Sequence, residues 1–126
     1  MSTAPPAIIL FSHGSRDPLW RAPIDAVARH ITQTAPLRPV CCAFLELIEP
    51  SLPQAVAQCV AQGAGHITVV PMFLGTGKHA REDLPRIVAD LRATHPHVRL
   101  DVQNPIGEDP RVTQLLAAIA CEVAPR

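Results

Sequence analysis

Short apolar runs alternate along this chain with longer segments in which apolar side chains recur every three or four residues. The runs have the length of buried strands, and they lie at 7–11, 37–45, 66–74 and 97–103. The periodic segments are typical of amphipathic helices, and they cover 18–34, 51–62 and the stretches that follow Asp83 and Asp109. This alternation predicts an α/β fold, with three layers (α/β/α) built around a four-stranded parallel sheet.

Single residues predict where these elements begin and end. Ser51 has the spacing of a capping box, and Asp83 and Asp109 are expected to cap the two later helices. Pro23 does not suit a helix interior, so the first helix is expected to be irregular or to begin later than residue 18. Pro71 predicts a bulge or the end of the third strand.

The last helix is expected to bury an apolar stripe. The stripe consists of Leu115, Leu116, Ile119 and Val123. No linker, repeat or low-complexity tract divides the chain, and 126 residues suit one domain, so residues 1–126 are expected to fold as a single unit.

Three polar residues follow three of the predicted strands. His13 follows the first strand, Glu46 ends the second, and His79 is expected in a loop, 75–81, after the third. Parallel strands joined by right-handed crossovers place all their carboxyl ends at one edge of the sheet. With the common strand order 2-1-3-4, ligands bind at that edge where the order reverses, so these residues are expected to converge there.

Composition narrows the function classes. Eleven basic and eleven acidic residues give a formal net charge of zero, which argues against a nucleic-acid partner. The first apolar run is too short to cross a membrane, and the start of the chain lacks signal-peptide features, so we expect a cytoplasmic protein. None of the four cysteines forms a C-x-x-C pair, and buried, reduced thiols are expected.

Each candidate residue also has an ordinary interpretation. His13 can be a loop histidine that caps a hydrogen bond, and Glu46 a simple strand-end glutamate. The flexible glycine loop before His79 favours a close approach to a ligand. The basic residues around the histidines can bind carboxylates or remain solvated loop charges. They are Arg16, Lys78 and Arg81.

The motifs, taken in order, resemble those of a known family. They are His13-Gly14-Ser15-Arg16, Phe44-Leu45-Glu46 with Glu49-Pro50, and Pro71-Met72-Phe73-Leu74-Gly75 through Gly77-Lys78-His79 to Asp83-Leu84-Pro85. Together they resemble the short, single-domain class II sirohydrochlorin chelatases of the CbiX type, and the resemblance runs from about Ile8 to Val123.

The resemblance implies insertion of a divalent metal into sirohydrochlorin, in cobalamin or siroheme biosynthesis. Cobalt is the first expectation, with iron or nickel as alternatives, and the metal is a substrate with no organic cofactor. His13 and His79 correspond to the metal-site histidines, and Glu46 to their acidic, catalytic partner. The substrate would meet side chains and loop amides at Ser12, Gly14, Ser15, Arg16, Gly75, Thr76, Gly77, Lys78 and Arg81. The resemblance also implies a homodimer.

Neutral imidazoles suit this chemistry, because they bind Co²⁺, Fe²⁺ and Ni²⁺ and can also accept a proton near neutral pH. The residues do not separate the role of metal ligand from that of base. Two other functions stay open: a non-enzymatic carrier of metal or tetrapyrrole, and phosphoryl transfer through a phosphohistidine. The second is disfavoured, because Ser12 stands where histidine phosphatases have arginine before the histidine.

Overall fold

A parallel sheet of four strands forms the centre of the protein, which we describe for residues 5–122 of a computed structural model. The strands are β1 (Ala7–Ser12), β2 (Val40–Phe44), β3 (His66–Pro71) and β4 (Arg99–Val102). The helices are α1 (Ala22–Thr34), α2 (Leu52–Ala61), α3 (Lys78–Thr94) and α4 (Pro110–Ala120), and a short 3₁₀ turn, η1, spans Ile106–Glu108. The strand order is β2-β1-β3-β4, with every pair parallel, which confirms the predicted α/β class and strand order.

The two faces of the sheet are covered to different degrees. On one face, alternate strand residues such as Ile9, Phe11 and Val69 are fully buried and pack with buried residues of α2 and α3. We call this the core face, and the opposite face the back face. Cys42 is on the back face, where α1 covers β2: its Sγ lies 3.9 Å from the carboxylate of Asp25.

Several predicted boundaries are confirmed. The Ser51 capping box is complete, because the Ser51 hydroxyl accepts from the backbone N–H of Gln54 and the Gln54 side chain accepts from the N–H of Ser51. Helix α1 begins at Ala22, later than residue 18, with Pro23 in its first turn, where a missing N–H does no harm. Strand β3 ends at Pro71.

The predicted loop at 75–81 and the predicted cap at Asp83 are both wrong in part. Helix α3 already begins at Lys78, after an extended Gly77 that caps without any side-chain hydrogen bond. Asp83 lies inside the helix. Its carboxylate is 3.9 Å from His79 Nδ1 and accepts at 2.8 Å from Arg86, contacts at i−4 and i+3 that helical geometry creates.

The predicted burial of the last helix is also wrong. Asp109 caps α4 as expected, accepting from the N–H of Arg111, but no residue of α4 is buried within residues 5–122. The leucines and isoleucine of the predicted stripe are 43–62% exposed, and Val123 lies outside the described residues. The stripe is exposed because α4 packs mainly against η1 and does not lie along the sheet.

The cysteines differ in their exposure. Cys59 is buried and Cys41 and Cys42 are half-buried, whereas Cys121 is exposed, so the expectation of burial fails for that residue. All four are free thiols. Within the described part of the chain, no helix is both long and apolar enough to span a membrane.

Candidate active site

The pairing of β1 with β2 continues past the ends of both strands. The N–H of Leu45 donates to the carbonyl of Ser12 at 2.9 Å, and the N–H of Glu46 donates to the carbonyl of His13 at 3.0 Å. These bonds place His13 and Glu46 side by side at the carboxyl edge of the sheet. Their side chains meet there, with His13 Nε2 2.8 Å from Glu46 Oε1.

This contact determines which nitrogen of His13 is available for chemistry. An ionised carboxylate can only accept hydrogen bonds, so beside an ionised Glu46 the proton of a neutral His13 sits on Nε2. The lone pair is then on Nδ1, and the hydrogen bond to the carboxylate fixes the tautomer and the orientation of the ring. Both side chains are about half-exposed, 48% for His13 and 54% for Glu46, so a ligand can reach them from solvent.

Gly14 allows the two backbones to approach so closely. Its φ is +106°, a conformation that side chains rarely permit, and it is buried against the backbone of Glu46. An added Cβ would overlap the carbonyl oxygen of Glu46, far inside the 3.0 Å limit that real Cβ atoms observe. Gly14 therefore holds the site together and leaves no room for a side chain of its own.

His79 occupies a separate position. It lies in the first turn of α3, its side chain is 88% exposed, and its nearest charged neighbour is Asp83. Residues 5–122 contain no group of three or more histidine, cysteine, aspartate or glutamate side chains arranged to hold a metal ion. The structure thus brings His13 and Glu46 together but does not join His79 to them.

The other candidate residues after β1 differ in accessibility. Ser12 is 1% exposed, and among the described residues its Oγ has no hydrogen-bond partner. The Ser15 hydroxyl accepts from the N–H of Asp17 at 3.1 Å. Arg16 is exposed. Of these three residues, Arg16 is therefore the one whose side chain is open to a ligand from solvent.

The loop between β3 and α3 is open, and two cations lie in the first turns of α3 directly after it. Gly75 and Gly77 have nothing within 4 Å of an added Cβ, so this loop is exposed on the side where side chains would point. Arg81 donates to the carbonyl of Thr76 at 3.0 Å, which ties the first turn of α3 to the loop. Lys78 is exposed, with its Nζ 4.0 Å from Glu82.

Three exposed leucines, which sequence reasoning missed, occupy the same edge. Leu19, Leu47 and Leu74 are 80%, 51% and 68% exposed, and each lies in the loop after a different strand, β1, β2 or β3. We call them the leucine rim. Leu47 directly follows Glu46 and has a φ of +73°, unusual for a bulky side chain. The sequence shows a leucine in each of these three loops, but that observation gains meaning only when the loops are known to be neighbours.

A second histidine–carboxylate pair shows that a short contact alone does not define a site. His66 Nε2 lies 2.8 Å from Asp101 Oδ2, but at the amino-terminal half of the sheet. This hydrogen bond, with help from Arg99, lowers the pKa of Asp101. A cavity of about 550 Å³ also opens at this amino edge, lined in part by His66 and Arg99, whereas His13 and Glu46 lie at the opposite edge.

Comparisons with known proteins identify the family to which this chain is similar. The CbiX family model matches residues 7–123. The chain is 37% identical over 114 residues to the sirohydrochlorin ferrochelatase of Bacillus subtilis (strain 168), covering 86% of this chain but only 41% of that relative. It is 29% identical over 130 residues to the sirohydrochlorin cobaltochelatase of Methanopyrus kandleri, covering 87% of this chain and 91% of that relative.

A solved structure agrees over nearly the whole chain. The crystal structure of a CbiX protein from Marinobacter aquaeolei VT8 superposes with a TM-score of 0.80 at 34% identity, covering 92% of each chain. The present chain spans less than half the length of the Bacillus relative and nearly all of the other two. With the family model matched from the first strand to the last helix, the chain belongs to the CbiX family.

Proposed function

We propose that this protein is a sirohydrochlorin chelatase, which inserts a divalent metal ion into sirohydrochlorin. The observation that carries the proposal is the pair of His13 and Glu46 at the carboxyl edge of the sheet, joined at 2.8 Å in a chain of the CbiX family. Relatives named ferrochelatase and cobaltochelatase support the choice of reaction. We propose cobalt as the first substrate metal, with iron or nickel as alternatives.

Metal insertion removes two pyrrole protons and replaces the water ligands of the metal with ring nitrogens. In our proposal, Nδ1 of His13 binds the incoming metal or accepts a pyrrole proton. Glu46 then stabilises the positive charge on the imidazole, because its carboxylate accepts the hydrogen bond from Nε2. An imidazole is suited to both roles near neutral pH, and it binds such metals without holding them permanently.

His79 is proposed as the second metal-site histidine. Its side chain is 88% exposed and has only a 3.9 Å contact with Asp83, so few interactions oppose its reorientation toward a ligand. It precedes Ala80, which is buried in the core, so the backbone that carries it is anchored. With its backbone fixed and its side chain free, His79 is suited to bind the metal only when metal or macrocycle is present.

The macrocycle is proposed to contact both the leucine rim and the basic loops. A flat tetrapyrrole offers apolar faces, and the three leucines of the rim expose apolar surface in the three loops around the pair. Its carboxylates would be met by Arg16, Lys78 and Arg81, and by loop amides near Gly75 and Gly77. The exposed leucines thus have a use that their position in solvent otherwise leaves unexplained.

We also propose that the working form is a homodimer. A single copy presents His13 and Glu46 on an open edge, half-exposed and without an enclosing wall. A second copy facing this edge would supply the other side of a cleft for a large macrocycle.

The test compares rates of metal insertion in folded variants, followed by the change in the absorption spectrum of sirohydrochlorin after addition of Co²⁺. His13→Ala and His79→Ala are expected to slow the reaction by about 10²-fold, the usual contribution of one acid–base group. His66→Ala is the matched control, because it removes a histidine with the same carboxylate contact at the other end of the sheet, and it is expected to keep the wild-type rate. Near-normal rates in both site variants would refute the proposal.

The same assay separates an enzyme from a carrier. A carrier would bind sirohydrochlorin or Co²⁺ and change the spectrum on binding, yet it would convert no more substrate than the uncatalysed reaction. Repeating the assay with Fe²⁺ and Ni²⁺ ranks the three metals, and a comparison at matched free metal concentration is required because intrinsic affinity rises along the series toward copper.

A further inference from the structure

Two thiols that take no part in the proposed active site lie in contact between β2 and α2. Side chains alternate along a strand, so Cys41 lies on the core face of β2 and its neighbour Cys42 on the back face. Cys59 lies on the buried side of α2, which packs on β2. The contact with the Cys41 thiol lowers the pKa of Cys59 to about 7, because the S–H group of Cys41 stabilises a thiolate on Cys59. A thiol that ionises near neutral pH beside a second thiol has the arrangement of a reactive pair.

A cavity at the amino edge of the sheet gives small molecules access to Cys59. The cavity has a volume of about 550 Å³, and Cys59 forms part of its wall, so a side chain that is only 7% exposed still borders open space. Other parts of the wall are polar, among them Gln62, His66, His97 and Arg99. A space of this size and polarity admits water and molecules of similar size. Access of this kind distinguishes a reactive thiol from an inert, buried one.

Cys42 provides an internal comparison, because it has neither feature. Its Sγ lies 3.9 Å from the carboxylate of Asp25 on the back face. Burial raises the pKa of the Cys42 thiol, and the charge of Asp25 raises it further. Within residues 5–122, the wall of the cavity does not include Cys42. Two cysteines that are adjacent in sequence therefore differ in both acidity and access.

We propose that Cys59 and Cys41 form an oxidation site, in which hydrogen peroxide that enters the cavity converts the two thiols into a disulfide between α2 and β2. In the first step the Cys59 thiolate attacks one peroxide oxygen. An S–O bond forms, the O–O bond breaks, and the leaving hydroxide is protonated to water. The product of this step is a sulfenic acid on Cys59.

In the second step, the Cys41 sulfur attacks the sulfur of the Cys59 sulfenic acid. The S–S bond forms, the S–O bond breaks, and hydroxide leaves as a second water with the proton from Cys41. Two electrons pass from the thiols to the peroxide, so no other oxidant is needed. A thiol reductant reverses the change by thiol–disulfide exchange.

The disulfide would close a loop around one member of the proposed active site. Residues 42–58 lie between the two cysteines, and they include Glu46 and the turn that leads to α2. Oxidation would therefore tie β2 to α2 on both sides of the segment that carries Glu46, without any reaction at Glu46 itself. The redox state of the core is thereby connected to the carboxyl edge of the sheet.

The experiment uses the full chain with Cys121→Ser, which removes the exposed thiol and its links between chains. The folded protein is treated with hydrogen peroxide, the remaining thiols are blocked, and the chain is unfolded and cleaved after glutamate. Because Glu46 lies between Cys41 and Cys59, this cleavage separates the two cysteines. Mass spectrometry is expected to find their peptides joined, with the loss of two hydrogen atoms, until a reductant is added.

Two matched substitutions at neighbouring positions identify the partner of Cys59. Cys42→Ser is expected to form the disulfide as its parent does. Cys41→Ser is expected to form none, and its Cys59 sulfenic acid is expected to persist and to be labelled by dimedone. The inference would be overturned by a parent that forms no link when folded, by a link from Cys59 to Cys42, or by a Cys41→Ser variant whose Cys59 dimedone does not label.

A comparison in urea shows whether the native structure creates the site. The unfolded chain loses the contact between the thiols, and Cys59 regains its ordinary pKa, so less of it is thiolate at pH 7. The folded protein is expected to form the disulfide several times faster than the unfolded one at this pH, and equal or slower formation would contradict the inference. None of these measurements uses a metal or sirohydrochlorin, so the oxidation site and the proposed chelatase activity stand or fall separately.

Discussion

Substitution of Gly14 by alanine tests whether close backbone packing holds the site together. The residue has a φ of +106° and lies against the carbonyl of Glu46, so an alanine there meets two separate obstacles. An alanine at Gly63 would meet only the backbone obstacle. Its φ is +95°, but nothing lies within 4 Å of an added Cβ, so Gly63→Ala is a matched control for the backbone conformation alone.

The magnitudes follow from the two environments. A left-handed backbone costs an alanine about 1–2 kcal/mol, and the reduced freedom of the unfolded chain returns about half of that, so Gly63→Ala should lower the free energy of unfolding by about 1 kcal/mol. At Gly14 the new methyl group must also displace the Glu46 backbone. Overpacking of this kind costs about 1–3 kcal/mol, and loss of the hydrogen bond from Glu46 N–H to the His13 carbonyl costs about 1 kcal/mol more. The expected total for Gly14→Ala is about 3–5 kcal/mol.

The first assay is urea denaturation of the two variants and the wild type. The second measures the rate of metal insertion without urea, at a temperature at which each variant is folded. Gly14→Ala is expected to be the less stable variant by about 2–4 kcal/mol, and to insert metal slowly because its Glu46 carboxylate no longer meets His13. Gly63→Ala is expected to keep the wild-type rate. Equal losses of stability in the two variants would refute the reasoning, because they would show that the contact with Glu46 carries no energetic weight.

Three further predictions concern residues outside the His13–Glu46 pair. Ser12→Ala should leave the free energy of unfolding unchanged or raise it by up to about 2 kcal/mol, since it removes a buried hydroxyl without a hydrogen-bond partner among the described residues; a loss in urea denaturation would contradict this. Ser51→Ala should lower that free energy by about 1 kcal/mol through loss of the α2 cap, whereas Ser51→Thr should preserve most of it. The contact with Arg111 lowers the pKa of Asp109 from 3.8 to about 2, so this carboxylate stabilises the fold above pH 4 and loses that contribution as the pH falls toward 2. The stability difference between the wild type and Asp109→Asn should therefore be largest at pH 5 and shrink as the pH falls through 2, and a difference of constant size from pH 5 to pH 2 would exclude the titration as its cause.

The parallel sheet and the approach of His13 to Glu46 follow from local sequence and general topology once the common strand order is assumed. Buried parallel strands leave a strong signal in sequence as uninterrupted apolar runs, and the right-handed crossover then places their carboxyl ends together. Residues that directly follow adjacent strands, as His13 and Glu46 do, therefore lie near one another. What the sequence does not contain is the extension of the β1–β2 ladder by two further hydrogen bonds, which converts proximity into a 2.8 Å contact. That extension depends on Gly14, whose importance comes from a long-range contact with Glu46.

The start of α3 was predicted poorly for a different reason. Capping rules favour a side chain such as Asp83, but Gly77 begins the helix through its extended backbone alone. The glycines of this segment predict a loop by composition, and a helix formed there is stabilised by tertiary contacts, among them the burial of Ala80 in the core. Tertiary packing therefore decides the position of His79, and it moves this residue from a flexible loop to an anchored helical turn.

The exposure of α4 is the point at which single-chain reasoning fails most clearly, and the failure is informative. The periodicity of Leu115, Leu116 and Ile119 predicts a buried face, and this prediction is wrong, because periodicity reports the apolar character of a helix face and not what covers it. Within residues 5–122 these three side chains stay 43–62% exposed. The pattern in α4 therefore predicts the helix and its apolar face but not its packing, because α4 leaves the sheet at η1 and contacts mainly that turn.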